Sequence, residues 1–204
     1  MTSITRFGFY LRPSAAMCAA QVRIHTLLYR QFGLEVAGRF MPHCTIKGFF
    51  RSEESVAEIT NAAAAITVGM PAFPVYSQGV TDFGDQAIVI SIRNTPDGRR
   101  NESLQELHER ALEALLPVVS PDCPHSPSER LREQYHPHLT LAMADIPPSR
   151  FAEISGFCRE LEPLGPASFI AEWLHLYAFD SEDWSGEWWR TFRWNLIESW
   201  RLGS

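Results

Sequence analysis

Two histidines, each followed two residues later by a threonine, are the side chains of this sequence best suited to chemistry: His43-Cys44-Thr45-Ile46 and His138-Leu139-Thr140-Leu141. Imidazole has an unperturbed pKa of about 6.5, so it gives or takes a proton near neutral pH at modest cost. Two imidazoles flanking one phosphate ester can divide the work. One takes a proton from the attacking oxygen and the other gives a proton to the leaving oxygen, with no metal required. The non-bridging oxygens gain charge in the transition state and need fixed donors. The Thr45 and Thr140 hydroxyls are the candidates. In a β-strand, side chains two apart share a face and lie about 6–7 Å from one another. His43 therefore shares a face with Thr45, and His138 with Thr140. Cys44, Ile46, Leu139 and Leu141 point the other way, into a core.

The flanking sequence supplies the strands this requires. Each motif follows a proline, Pro42 or Pro137, and reads as a strand, over Met41–Phe50 and Tyr135–Met143. Gly48 marks a bend in the first or a close approach of its backbone to a ligand. Around them the pattern predicts strand Arg6–Leu11, a helix capped by Ser14 and running to about Gln31, a helix beginning at Ser52, and strand Phe73–Val80. A turn at Asp82-Phe83-Gly84-Asp85 precedes strand Gln86–Arg93, the run richest in β-branched residues. Helix Asn101–Leu116, a surface loop over Pro117–Glu133, a helix from Pro147–Ser149 to about Leu161, strand Ser168–Phe179, a turn-rich loop over Asp180–Glu187 and strand Trp188–Ile197 complete the chain.

The order repeats. Strand, helix, motif strand, helix, strand occurs twice, with the motif histidines 95 residues apart. The expected architecture is α+β: a single domain, 1–204, of two pseudo-symmetric lobes, each a small mostly antiparallel sheet flanked by helices. The lobes span about 4–81 and 85–180, with a Trp-rich C-terminal strand over 184–200. The motif strands are expected to line a central cleft in which the His–Thr pairs converge.

Pro42-His43-Cys44-Thr45-Ile46-Lys47-Gly48 and Pro137-His138-Leu139-Thr140-Leu141-Ala142 resemble the two copies of His-x-Thr/Ser-x that define the two-histidine phosphoesterase superfamily. This group includes RNA 2′,3′-cyclic phosphodiesterases and 2′-5′ RNA ligases. With seven His and ten Thr in 204 residues, roughly 0.3 His-x-Thr strings are expected by chance, so one motif means little and two at equivalent places of a repeat mean more. The resemblance covers most of residues 4–197. It implies a metal-independent phosphoesterase acting on a 2′,3′-cyclic phosphate or 2′-5′ linkage of RNA ends or small nucleotides. It also implies His43 as acid and His138 as base, with the roles exchanged in the reverse reaction. A departure is Met143-Ala144-Asp145, apolar and then acidic, where members of the cyclic phosphodiesterase pattern often carry a basic residue.

Composition narrows the partners. A formal charge of −6 and a pI of about 5.6 argue against coating long nucleic acid, which needs a basic stripe, but leave room for a local positive site that takes a small nucleotide or an RNA end. Residues 1–11 hold no basic segment leading into an apolar stretch, and no apolar run reaches membrane-spanning length. The four cysteines form no C-x-x-C pair and read as reduced thiols, so the expectation is a cytoplasmic protein with no membrane contact and no cofactor. Oligomeric state is not legible. Further substrate-contact candidates are Lys47, the chain's one lysine and two residues beyond Thr45; Tyr135, which can stack on a base; His136, at the cleft rim; and Tyr177, on the cleft floor with His175. One rival reading is a non-catalytic nucleotide or RNA-end binding module of the same fold. Another is a metal site of His43, His136, His138 and Asp145, for which ligand spacing is lacking.

Overall fold

Three of the four α-helices among the described residues begin where a polar side chain takes up a free backbone N–H group. The computed structural model describes residues 5–123 and 134–203; the loop expected over Pro117–Glu133 therefore lies partly outside the described residues. Ser14 Oγ accepts from Met17 N ahead of α1 (Ala15–Phe32), and Gly33, at φ 75°, ends that helix in the left-handed conformation. α2 (Val56–Thr67) starts at Ser55 rather than Ser52, because Ser55 and Glu58 form a reciprocal capping box. The Ser52 hydroxyl is engaged elsewhere, donating to Val118 O. Asn101 caps α3 (Glu102–Leu115). α4 (Phe151–Glu160) continues from a short 3-10 turn at Pro148–Arg150.

The strands are β1 (Arg6–Arg12), β2 (Cys44–Phe50), β3 (Phe73–Tyr76), β4 (Val80–Phe83), β5 (Ala87–Ser91), β6 (His138–Met143), β7 (Ser168–Ala171), β8 (Trp173–Asp180) and β9 (Arg193–Arg201). Seven form one antiparallel sheet in the order β4-β5-β6-β2-β1-β8-β9; β3 and β7 pair separately. Several expected boundaries shift. The Asp82–Phe83 turn is strand, because β4 pairs with β5 through Val80↔Ile90 to Phe83↔Ala87. The expected strand 168–179 divides at Glu172, where the chain leaves β3 and joins β1 as β8. The last strand begins at Arg193, after a short 3-10 turn at Trp188–Arg190.

The repeat is visible as a pseudo-twofold axis between β2 and β6. β1 flanks β2 as β5 flanks β6, and β3 meets β7, its counterpart in the other half. The helices exchange across this axis: α1 follows β1 yet packs against β6, and α3 follows β5 yet packs against β2. The two halves thus share one core. Met17, Ile24 and Leu28 of α1 and Leu104, Leu107 and Ala111 of α3 join it with Cys44, Ile46, Leu139 and Leu141, all buried. On the opposite face of the first half lies a second cluster built on Tyr10, Phe40, Met41, Tyr177 and Phe179. Trp184, Trp188 and Phe192, from the loop before β9, pack against it. No helix among the described residues is long and apolar enough to cross a membrane.

Candidate active site

β2 and β6 are neighbours through one register pair, Cys44 with Leu139. Antiparallel continuation of that pair sets His43 opposite Thr140 and Thr45 opposite His138. The four side chains thus form a quartet on one face with the histidines on a diagonal, near enough that charge on His138 acts on His43. All four are half-buried, while Cys44 and Leu139 are fully enclosed on the other face. The expected convergence is therefore that of adjacent strands in one sheet.

The strands part on either side of the single pair, and their free carbonyls take donors from elsewhere, as buried backbone groups must. On the second motif, Gln21 Nε2 and His25 Nε2, both from α1, donate to Thr140 O at 2.9 Å each. On the first, His108 Nδ1 from α3 donates to Ile46 O at 2.8 Å, and Tyr135 Oη donates to Thr45 O at 2.7 Å. Each half thus lends a helix histidine to the motif of the other. Sequence reading assigned these histidines no role. Their signal is weak, a polar residue on the apolar face of an amphipathic helix.

The prolines shape the histidines. In each motif the imidazole Nδ1 donates to the carbonyl two residues back, across the proline: His43 to Met41 O at 2.7 Å, and His138 to His136 O at 2.6 Å. A carbonyl only accepts, so Nδ1 carries the proton and Nε2 is the atom left to exchange one. Burial pushes the His43 pKa down to about 4, the Met41 carbonyl opposes this, and charge on His138 or His25 presses it lower. His138 is also lowered, by burial first and by charge on His136, against the pull of the His136 carbonyl. Both rings are neutral at rest, and a proton on one disfavours a proton on the other. A bound phosphate reverses that sign, since a nearby negative charge favours imidazolium.

Each motif strand bulges at the residue after its His-x-Thr. Tyr10 pairs with Thr45 but Phe9 with Lys47, leaving Ile46 extra; Val89 pairs with Thr140 but Ile88 with Ala142, leaving Leu141 extra. A bulge resets the alternation of faces. Lys47 therefore shares the face of Phe9, not of Thr45. It is 0% exposed, with Nζ 5.1 Å from the Phe50 ring centroid, which removes it from the cleft. Gly48 sits in a second irregularity of the same pairing.

Tyr135 is also displaced from its expected role. Its ring stacks on His108 at 4.0 Å and 5°, and its hydroxyl serves Thr45 O, so it is a support behind the first motif rather than a platform for a base. Tyr177 is buried in the aromatic cluster, 6.0 Å from Tyr10 and bonded to His175 Nδ1 at 3.3 Å. It belongs to the floor of the first half, with Tyr10 between it and the quartet. His136 is exposed at the rim. Asp145 does not join the histidines: its Oδ2 accepts from Glu35 N and Val36 N at 2.7 and 3.0 Å. That pair of bonds holds the segment leading to Phe40 and Met41. Among the described residues no three His, Cys, Asp or Glu side chains are grouped to hold a metal ion.

Two aromatic settings distinguish the histidines. Tyr10 and Phe40 lie 4.7 and 5.7 Å from the His43 ring, both buried. Phe83 lies 5.0 Å from the His138 ring and is 44% exposed. Phe83 also lines a cavity of about 450 Å³ with Asp85, Gln86 and Met143. It escaped notice in the sequence because it read as part of a turn.

The 2′-5′ RNA ligase superfamily model matches residues 12–183. Among solved structures, Escherichia coli LigT complexed with 3′-AMP is similar at 16% identity, over 98% of this chain and 99% of that one, with a TM-score of 0.55. LigT complexed with NADP+ is similar at 16% identity over 100% of both chains, with a TM-score of 0.57. TT0787 of Thermus thermophilus is similar at 15% identity, over 98% and 99%, with a TM-score of 0.64. Among curated proteins none matches the sequence.

Proposed function

The chain belongs to the 2′-5′ RNA ligase superfamily, and on that premise we propose that it is a metal-independent phosphoesterase that opens 2′,3′-cyclic phosphates or cleaves 2′-5′ linkages in RNA ends or small nucleotides. The observation that carries this reading is the paired tautomer. Both motif histidines have Nδ1 tied to a backbone carbonyl, and each sits across from a threonine of the other motif.

In the forward direction His138 Nε2 takes the proton of the attacking water. Its oxygen bonds to phosphorus, the bond to one ribose oxygen breaks, and protonated His43 gives its Nε2 proton to that oxygen. Thr45 and Thr140 hydroxyls donate to the non-bridging oxygens, where charge develops. The substrate's negative charge favours the single proton the pair needs, offsetting the burial that keeps His43 neutral when the cleft is empty. That LigT has been crystallised with 3′-AMP supports a nucleotide monophosphate as the form of the product.

The test is hydrolysis of a 2′,3′-cyclic nucleotide by purified protein in EDTA. Turnover that chelator abolishes would overturn the metal-independent mechanism; tight binding without turnover would point to the binding module. The free-site pKa values add a pH signature. One histidine must be charged and the other neutral, and both lie below 6.5, one at about 4. The expected kcat/KM peaks below pH 6.5 and falls above it, about tenfold per pH unit, whichever histidine is the acid.

A further inference from the structure

Positive charge gathers on the cleft face beside the second motif. On β5, Val89 pairs with Thr140 and Ser91 with His138, so Arg93 continues the same face next to His136. Arg93 Nη1 lies 3.5 Å from His136 Nδ1. Several surface arginines hold carboxylates, as Arg110 holds Glu106, Arg150 holds Glu153 and Arg159 holds Asp82. Arg93 holds none among the described residues. The side chain it meets is one that can itself become cationic, and the charges of Arg93 and Arg100 both lower the His136 pKa, after burial.

The arrangement is held by the backbone. Ile92 N donates to Pro137 O at 3.2 Å, which ties β5 to the chain just before His138. Arg93 O accepts from Asn101 N at 2.9 Å, at the start of α3. His136 and Arg93 therefore lie just beyond the paired ends of β6 and β5, next to His138. A guanidinium and an imidazole in van der Waals reach of one another, open to solvent and with no carboxylate between them among the described residues, favour an anion; a guanidinium presents its donors in a fork suited to phosphate. The exposed Phe83 ring, 6.1 Å from His136 and 5.0 Å from His138, offers an aromatic face along the same strip, on which a base can stack.

We propose that Arg93 and His136 form a second phosphate site beside the His–Thr quartet, so that the cleft is built for a nucleotide with phosphates on both sides of its sugar, as at the end of an RNA strand. This rests on the reading of the quartet as the site of the reacting phosphate. It adds that an oligonucleotide end is preferred over a mononucleotide.

Calorimetric binding of adenosine 3′-monophosphate and adenosine 3′,5′-bisphosphate to the whole protein tests it. The bisphosphate is expected to bind about tenfold or more tightly. The ratio should fall toward one in Arg93→Gln, persist in part in Arg93→Lys, and shrink with added salt. Binding of both ligands with equal affinity in the wild type overturns the second site and leaves the quartet standing. So does a ratio that survives Arg93→Gln in a protein that melts normally. Failure of both ligands to bind overturns the quartet and the second site together.

Discussion

The two motif halves use one plan in two settings. Both tie Nδ1 of histidine to the carbonyl across a proline, both bulge after the threonine, and both borrow a helix histidine from the other half. The settings differ. His43 is packed by Tyr10 and Phe40 in a cluster closed by the Trp-rich loop. His138 meets the exposed Phe83 and a rim of His136 and Arg93. The shared features hold both imidazoles in the same tautomer; the differing ones leave one wall closed and the other exposed. A pseudo-symmetric scaffold thus gives its two histidines unlike surroundings.

The largest expected effect is the one the halves share. His43→Ala and His138→Ala should each lower the rate of cyclic nucleotide opening by about 10²- to 10⁴-fold, the range of one general acid or base. A variant with wild-type turnover would end the paired mechanism. The halves should then part in stability. Phe40→Ala, within the closed cluster, is expected to cost about 3 kcal/mol in denaturant unfolding, from lost burial and the cavity left behind. Phe83→Ala should stay within about 0.5 kcal/mol, since its ring is exposed. Equal losses would show that both walls are structural.

Acid should reveal the buried histidines next. His43 and His175 are both held near a pKa of about 4, His43 mainly by burial and His175 by burial and the Arg12 charge. In the unfolded chain each titrates at about 6.5, so as pH falls the unfolded state binds protons first. Their stabilising contribution is full above about pH 6.5 and is lost between about 6.5 and 4. The loss by pH 5 is on the order of 1–2 kcal/mol for each. Thermal melts at pH 7 and pH 5 measure it, and an unchanged Tm would mean that these rings are not neutral in the fold. A smaller effect than the acid loss is expected behind the strands. Tyr135→Phe removes the donor to Thr45 O and should cost about 1 kcal/mol. His108→Leu and His25→Leu should cost similar amounts, each loosening the motif of the opposite half.

Much of this was legible in the sequence, because strand alternation and helix caps are local. The motif pairs His43–Thr45 and His138–Thr140, the cap at Ser14, the amphipathic α3 and the repeated order of elements follow from neighbours a few residues apart. Lys47 shows where that reasoning ends. Its spacing from Thr45 is right for a shared face, and a bulge at Ile46 turns it into the core. Tyr135 precedes the strand rather than lying in it, so its side chain is free to swing beneath the first motif.

The sequence alone determined which atoms can do the chemistry: two imidazoles, two hydroxyls, and two prolines that set the approach to each. Tertiary structure decided what surrounds them. The pairing of Cys44 with Leu139, the exchange of α1 and α3, and the meeting of Phe83, Arg93 and His136 depend on register between segments far apart in the chain. Register is set by how whole faces bury against one another, and a shift of one residue sends each side chain to the other side. That is why the His–Thr pairs are written locally, while the walls that tell one histidine from the other appear only in the folded chain.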